Sequence, residues 1–209
     1  MSARTPGRRP TVGFRFMKNI ARLGLIAALP VFAACTQVHS VAVVPELFVS
    51  PSQVGDGKTV GVRVVDRRAS KIIGQGTGQL VMFRKYKIEP RPGLTATLEE
   101  TAREGLRKLG FRPKAFNQEE SRRLSVELLA LRNTYTEKGT GFEEVMKVAL
   151  KAHCRAKGGD YANEFRVTKE EEHPMVLTNF PNEELINLTV SLAFQRMFQD
   201  EQLLACLAR

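Results

Sequence analysis

The sequence predicts an α+β fold: a mainly antiparallel sheet of four to six strands with two helices packed on one face. Three stretches carry that expectation. In residues 146–157, Met146, Val148, Leu150, Ala152, Cys154 and Ala156 alternate with Lys147, Ala149, Lys151, His153, Arg155 and Lys157. That period of two is the mark of a strand with one buried and one wet face. Gly158-Gly159-Asp160 then turns the chain into Tyr161, Asn163, Phe165 and Val167, the start of a paired strand, so a long hairpin is expected. Two helical stretches flank it. Residues 94–109 place Leu94, Leu98, Ala102, Leu106 and Leu109 on one stripe, with Gly110 as the stop. Residues 181–199 begin with Pro181 and the acids Glu183 and Glu184, then present a broad apolar face from Leu185 to Phe198.

The remaining elements follow in order. Residues 36–58 are punctuated by Pro45, Pro51, Gly55 and Gly57 and are read as a tether, with short edge strands at 41–44 and 47–49. Val60, Val62 and Val64 share one face of a strand over 59–66. Gly74, Gly76 and Gly78 bracket a loop. It lacks the Lys-Ser/Thr end of a phosphate-binding loop, so the glycines are read as turn chemistry. A second apolar strand is expected at 79–83. Residues 111–120 are a connection with a short extended piece. Residues 124–134 form a strand, where Leu128-Leu129-Ala130-Leu131 suggests burial on both faces. The triplet Glu170–Glu172 marks the solvated end of the hairpin, and residues 200–207 can form a short terminal helix.

The first 34 residues stand apart. Lys18 and Arg22 precede a 12-residue apolar run at 23–34, too short for a bilayer, which needs about 20 residues. A basic start, a short apolar stretch and small residues before a cleavage point describe a secretory signal peptide. Phe32-Ala33-Ala34-Cys35 resembles the lipobox of bacterial lipoproteins, with Phe32 where Leu is usual. The resemblance implies cleavage before Cys35 and a lipid, palmitate among its acyl chains, on the Cys35 sulfur. Two or more chains are needed for a stable anchor. Thr36, rather than Asp, at the next position implies sorting to the outer membrane, on its periplasmic face, with retention in the inner membrane as the alternative. Arg8-Arg9 resembles a twin-arginine signal, but Pro10-Thr11-Val12 does not continue it, and translation is expected to start at Met17. The organisation is therefore a signal peptide over 1–34, a lipidated tether and lead-in segment over 35–58, and one α+β domain over 59–209.

Removing the leader changes the charge. Residues 1–34 hold six of the 32 lysines and arginines and none of the 22 acids, so the rest of the chain is at +4 rather than +10. This modest charge, on an exported chain, argues against nucleic acid as a partner. It suits anionic headgroups or glycans by steering. The absence of Trp argues against a sugar-stacking site. Cys154 and Cys206 would meet an oxidising compartment, where they can pair or remain two buried thiols.

In this order of elements the chain resembles the YajG family of uncharacterised bacterial lipoproteins. The resemblance rests on the lipobox cysteine, on Val44-Pro45-Glu-Leu-Phe-Val-Ser-Pro51, on Val62-Arg-Val-Val-Asp66-Arg-Arg68, on Ile73-Gly74, and on the middle helix, hairpin and closing helix. It implies an envelope lipoprotein with an α+β domain and no known activity.

No catalytic or metal site is expected. The chain has no Gly-x-Ser-x-Gly elbow and no His-Glu-x-x-His, and its three histidines are scattered. His153 and Cys154 are adjacent in a strand and face opposite ways, so they cannot act together. Asp66 with Arg67 and Arg68, at a strand end, is the most site-like group; the alternative is a turn organised by an ion pair. Arg84, Lys85 and Lys87 form the densest basic cluster outside the leader. They can bind an anionic ligand or simply solvate an edge strand. No cofactor is expected beyond the lipid on Cys35. Two functions fit: a non-catalytic interaction module binding an envelope protein or its own kind, or a carrier holding a lipid or cell-wall fragment. A carrier needs an apolar cavity of about 300–1,000 Å3. An adaptor needs a filled core and an exposed patch.

Overall fold

A computed structural model describes residues 36–77, 85–174 and 180–209. Its larger sheet has the order β5 (Arg112–Ala115), β2 (Thr59–Asp66), β6 (Arg123–Lys138), β7 (Gly141–Ala156) and β8 (Gly159–Pro174). A smaller sheet has the order β1 (Gln37–Val41), β4 (Lys85–Pro90) and β3 (Gly74–Thr77). Three helices complete the described α+β fold: α1 (Leu94–Lys108), α2 (Glu183–Phe198) and α3 (Glu201–Ala208).

The sheets are mixed, not mainly antiparallel. β2 pairs parallel with both β5 and β6, and β1 pairs parallel with β4. The cause lies in the connection. α1 carries the chain back along β2, so β5 starts from the same end as β2 and must pair parallel to it. The antiparallel part is the hairpin of β7 and β8 together with β6.

Several expectations are corrected. Residues 74–77 are a strand, not a loop. Their glycines serve close approach: a Cβ at Gly74 would lie 2.9 Å from the Asn133 carbonyl oxygen, and one at Gly76 would lie 2.8 Å from the Tyr86 hydroxyl. Val41 ends β1, and residues 42–44 and 47–49 form no edge strand. The N–H groups of Ala42, Val44 and Glu46 donate instead to Glu183 Oε1, Asn187 Oδ1 and Ser191 Oγ, at 3.3, 2.8 and 2.9 Å. Every second residue of an extended chain thus meets every fourth residue of α2, since the two repeats are about 6.8 and 6 Å. Glu170–Glu172 lie within β8, opposite Val145, Glu144 and Glu143. The apolar run at 128–131 reflects a β-bulge: the register shifts between Leu128 and Ala130, and the inward set moves from Leu124, Val126 and Leu128 to Leu131. The expected strand at 79–83, with Cys35 and Arg84, lies outside the described residues.

The helices pack on one face of the larger sheet, α1 against β2 and β5, α2 and α3 against β7 and β8. Val60, Val62, Leu124, Val126, Leu150 and Ala152 face them and are buried, as are Leu98, Leu106, Phe194 and Phe198 from the helices. α1 and α2 approach through Gly105, where a Cβ would lie 2.2 Å from the Phe198 ring. Cys154 on β7 and Cys206 on α3 form a disulfide across 52 residues, with Cα atoms 6.4 Å apart. The bond ties the last helix to the turn end of the hairpin, where Cys154 pairs with Tyr161.

Closing a loop of that length restricts the unfolded chain, and the double replacement Cys154→Ser with Cys206→Ser is expected to cost about 2–4 kcal/mol. Denaturant unfolding of the two proteins without reductant measures it; equal midpoints would show that the bond does not stabilise the fold.

Candidate functional site

Two places on the larger sheet gather polar side chains. The first lies on the buried face, at the far end of the hairpin. The register places Tyr135, Glu144 and Glu171 in one cross-strand row, with Phe142 and His173 in the next. Glu144 has no exposed surface. An ionised carboxylate buried so deeply needs donors on every side. Its Oε1 accepts from Asn133 Nδ2 at 2.6 Å and from the Tyr135 hydroxyl at 2.7 Å. Its Oε2 lies 2.9 Å from His173 Nε2 and accepts from Asn182 Nδ2 at 3.2 Å.

Asn182 is the N-cap of α2. Its Oδ1 accepts from the Leu185 N–H, while its Nδ2 also donates to Glu171 Oε2 at 3.2 Å. The positive end of a helix thus points towards a buried negative charge. Around this group His39, Tyr86, Tyr135 and Phe180 form an aromatic cluster. The Phe180 ring lies 4.9, 5.1 and 5.2 Å from those of His39, Tyr86 and Tyr135. Burial, then the Glu144 charge, pushes the phenol of Tyr135 far above its ordinary pKa, and that of Tyr86 upwards. Burial pushes His39 down. Tyr135 is therefore held as a neutral donor. Glu144, Glu171 and His173 offer three metal-ligating atoms within 4.8 Å of one another.

The sequence reading missed Glu144 and Glu171. A signal existed: the inward phase of Met146, Val148 and Leu150, extended backwards, puts Glu144 and Phe142 on the core side.

The second place is on the opposite face. Its rows carry Arg63, Arg123, Arg132, Lys147, Lys151, Arg155 and Arg166 against Glu127, Asp160, Glu164 and Glu170. An open groove of about 630 Å3 is lined by Arg63, Phe116, Arg123, His153, Arg155 and Tyr161, among others. Arg63 lies 4.1 Å over the Phe116 ring and donates to Ser125 Oγ at 2.9 Å, which fixes its guanidinium. Arg123 stands directly opposite Arg155, a like-charged pair that costs stability. Asp160 offsets Arg155 with contacts of 2.8–3.0 Å. Arg123 Nη1 donates to the Gln118 carbonyl, while its Nε is buried without a partner.

The residues singled out from the sequence are placed elsewhere. Asp66 accepts from Arg68 Nε and Nη2, both at 2.9 Å, and pairs with Lys71 at 2.9 Å. Burial would raise its pKa, but the hydrogen bonds from Arg68 and Lys71 outweigh this and hold it well below the usual carboxylate range. Arg68 is itself buried, so this is a turn organised by an ion pair. Arg67 is exposed, 3.9 Å from Glu127. Lys85 and Lys87 lie on β4, opposite Thr77 and Gln75. None of these five lines the arginine groove.

A family model described as "Uncharacterized lipoprotein" matches residues 45–208. Among solved structures, a protein from Xanthomonas campestris is similar over 82% of this chain and 95% of its own, with 12% identity and a TM-score of 0.46. A minor lipoprotein from Acinetobacter baumannii is 10% identical over 72% of this chain and 90% of its own, with a TM-score of 0.36. A lipoprotein from Neisseria meningitidis is 10% identical over 68% and 97%, with a TM-score of 0.39. No curated protein matches the chain.

All three tyrosines of the chain, Tyr86, Tyr135 and Tyr161, have raised phenol pKa values. The folded state keeps these protons at a pH where the unfolded chain releases them, so stability is full below about pH 10 and falls as pH rises further. An alkaline titration should show phenolate absorbance appearing together with unfolding; three phenolates formed near pH 10 in a folded protein would contradict this.

Proposed function

We propose that this chain, which belongs to the YajG family of uncharacterised lipoproteins, is a non-catalytic interaction module of the cell envelope, held by a lipid on Cys35 at the periplasmic face of the outer membrane. Family membership supports an envelope lipoprotein. No helix among the described residues is long and apolar enough to cross a membrane. Only Thr36 separates Cys35 from β1, and the chain then lies along α2 through the N–H groups of Ala42, Val44 and Glu46, so the expected tether is built into the fold.

One observation carries the reading: the two faces of the larger sheet differ. The helix-covered face is filled by Leu98, Leu106, Phe194 and Phe198, down to the contact of Phe198 with Gly105. Filling favours an adaptor over a carrier. The other face turns Arg63, Arg132, Lys147, Arg155 and Arg166 to solvent. A fixed guanidinium at Arg63, and Arg123 and Arg155 sharing the single carboxylate of Asp160, favour an acidic partner, by steering and by complementarity at contact.

Photo-crosslinking in cells tests this. A crosslinker at Lys147 or Lys151 is expected to capture a defined partner, and Arg63→Glu with Arg123→Glu should cut the yield at least about tenfold, the effect of losing roughly 1.4 kcal/mol. Cys35→Ser should release the protein from the membrane fraction and lose the same capture. Equal capture from Glu104 on α1, or capture unaffected by the charge reversals, would contradict the reading.

A further inference from the structure

We propose that Glu144, Glu171 and His173 form a binding site for a divalent transition-metal cation of the zinc class. This does not rest on the interaction reading above. The first argument is charge. Glu144 and Glu171 stand directly opposite each other on β7 and β8. Like charges in that position destabilise a sheet; the Asn182 amide, 3.2 Å from an oxygen of each, screens them without balancing their charge. One of the two, Glu144, is fully buried, where an unbalanced carboxylate is most costly. Among the described residues its ion-pair partner is His173, which is cationic only when protonated. A divalent cation would balance both carboxylates and use the neutral imidazole as a ligand.

The second argument is geometry. Glu144 Oε2 and His173 Nε2 are 2.9 Å apart, and His173 Nε2 and Glu171 Oε2 are 3.7 Å apart. Bonds of about 2.0–2.2 Å in a tetrahedral centre put neighbouring ligands roughly 3.3–3.6 Å apart, between those two values, and all three ligand atoms lie within 4.8 Å of one another. Two carboxylates and an imidazole suit zinc, and manganese or iron next to it. Three protein ligands leave a coordination position for water.

The surroundings meet the other requirements of a metal site. Glu144 Oε1, the oxygen turned away from His173, is held by Asn133 and Tyr135, which orients the carboxylate. Exposure rises from 0% at Glu144 through 18% at His173 to 40% at Glu171. An open cleft of about 410 Å3, lined by Lys138, Glu143, Glu172 and His173 among others, leaves the His173 side of the group open to solvent. Sequence spacing hides the site, because strand pairing brings together residues more than two dozen positions apart.

Calorimetric titration of the chelator-treated full chain with Zn2+, and with Mg2+ as the contrast, tests the proposal. The expected result is one saturable Zn2+ per chain, no comparable Mg2+ binding, and a melting temperature raised by Zn2+. His173→Gln and Glu171→Gln should each weaken binding at least about tenfold. Both positions are partly exposed, and the circular dichroism spectrum checks that each variant is folded. X-ray absorption at the zinc edge should show mixed oxygen and nitrogen ligation. No binding to the folded wild-type chain, or binding unchanged in both variants, overturns the proposal. So does binding lost with Cys35→Ser while His173→Gln leaves it intact, which would place the metal on a thiol.

Discussion

The carboxylate of Glu144 fixes how the hairpin and the last long helix meet. It has no exposed surface, and four side chains from β6, β8 and the start of α2 converge on it. Removing any one donor leaves a charge short of a partner in a low-dielectric place, which costs more than an ordinary lost hydrogen bond. A purely apolar interface would let α2 slide by a turn along the sheet. A carboxylate that must find the Asn182 amide does not. The position of α2 then determines the packing of Phe194 and Phe198 against α1, and where residues 42–46 can lie.

From that docking follows the division of labour between the two faces of the sheet. Helices fill one side and α3 is bound to it by the Cys154–Cys206 disulfide. The other side keeps its charges in water. A sheet with one wet face tolerates arginine freely, but it gains nothing from setting Arg123 opposite Arg155. The fixing of Arg63 by Ser125 and Phe116 would likewise lower the entropy lost on binding an acidic partner. Under the proposed interaction role, these features serve a partner rather than the fold.

Much of the architecture was legible in the sequence, and for definite reasons. β2, α1, the hairpin and α2 have strong periodicities of two or 3.6 residues, and their cores fall on the residues those periods select, such as Val62, Leu98, Leu150 and Phe194. What was not legible depended on pairing across distance. The parallel placement of β5 depends on α1 as a crossover, which no local pattern records. β3 reads as a loop because Gly74 and Gly76 signal turns, while their use is close approach to Asn133 and Tyr86. Residues 42–46 bond to side chains of a helix about 140 positions away, invisible to any window. At the sites the lesson is sharper. Asp66 and Arg68 looked functional because charge at a strand end draws attention, yet they organise a turn. Glu144 escaped notice because the alternation around it was read only from Met146 onwards. One more step back along the same phase would have put an acid in the core.

The most direct measurement is a double-mutant cycle between Glu144→Gln and Asn182→Ser, read as free energy of unfolding. Serine keeps a capping acceptor at the start of α2 but cannot reach the carboxylate. The two substitutions should be coupled by about 1 kcal/mol or more, because each removes the same contact between hairpin and helix. Strictly additive effects would mean that α2 finds its place without Glu144.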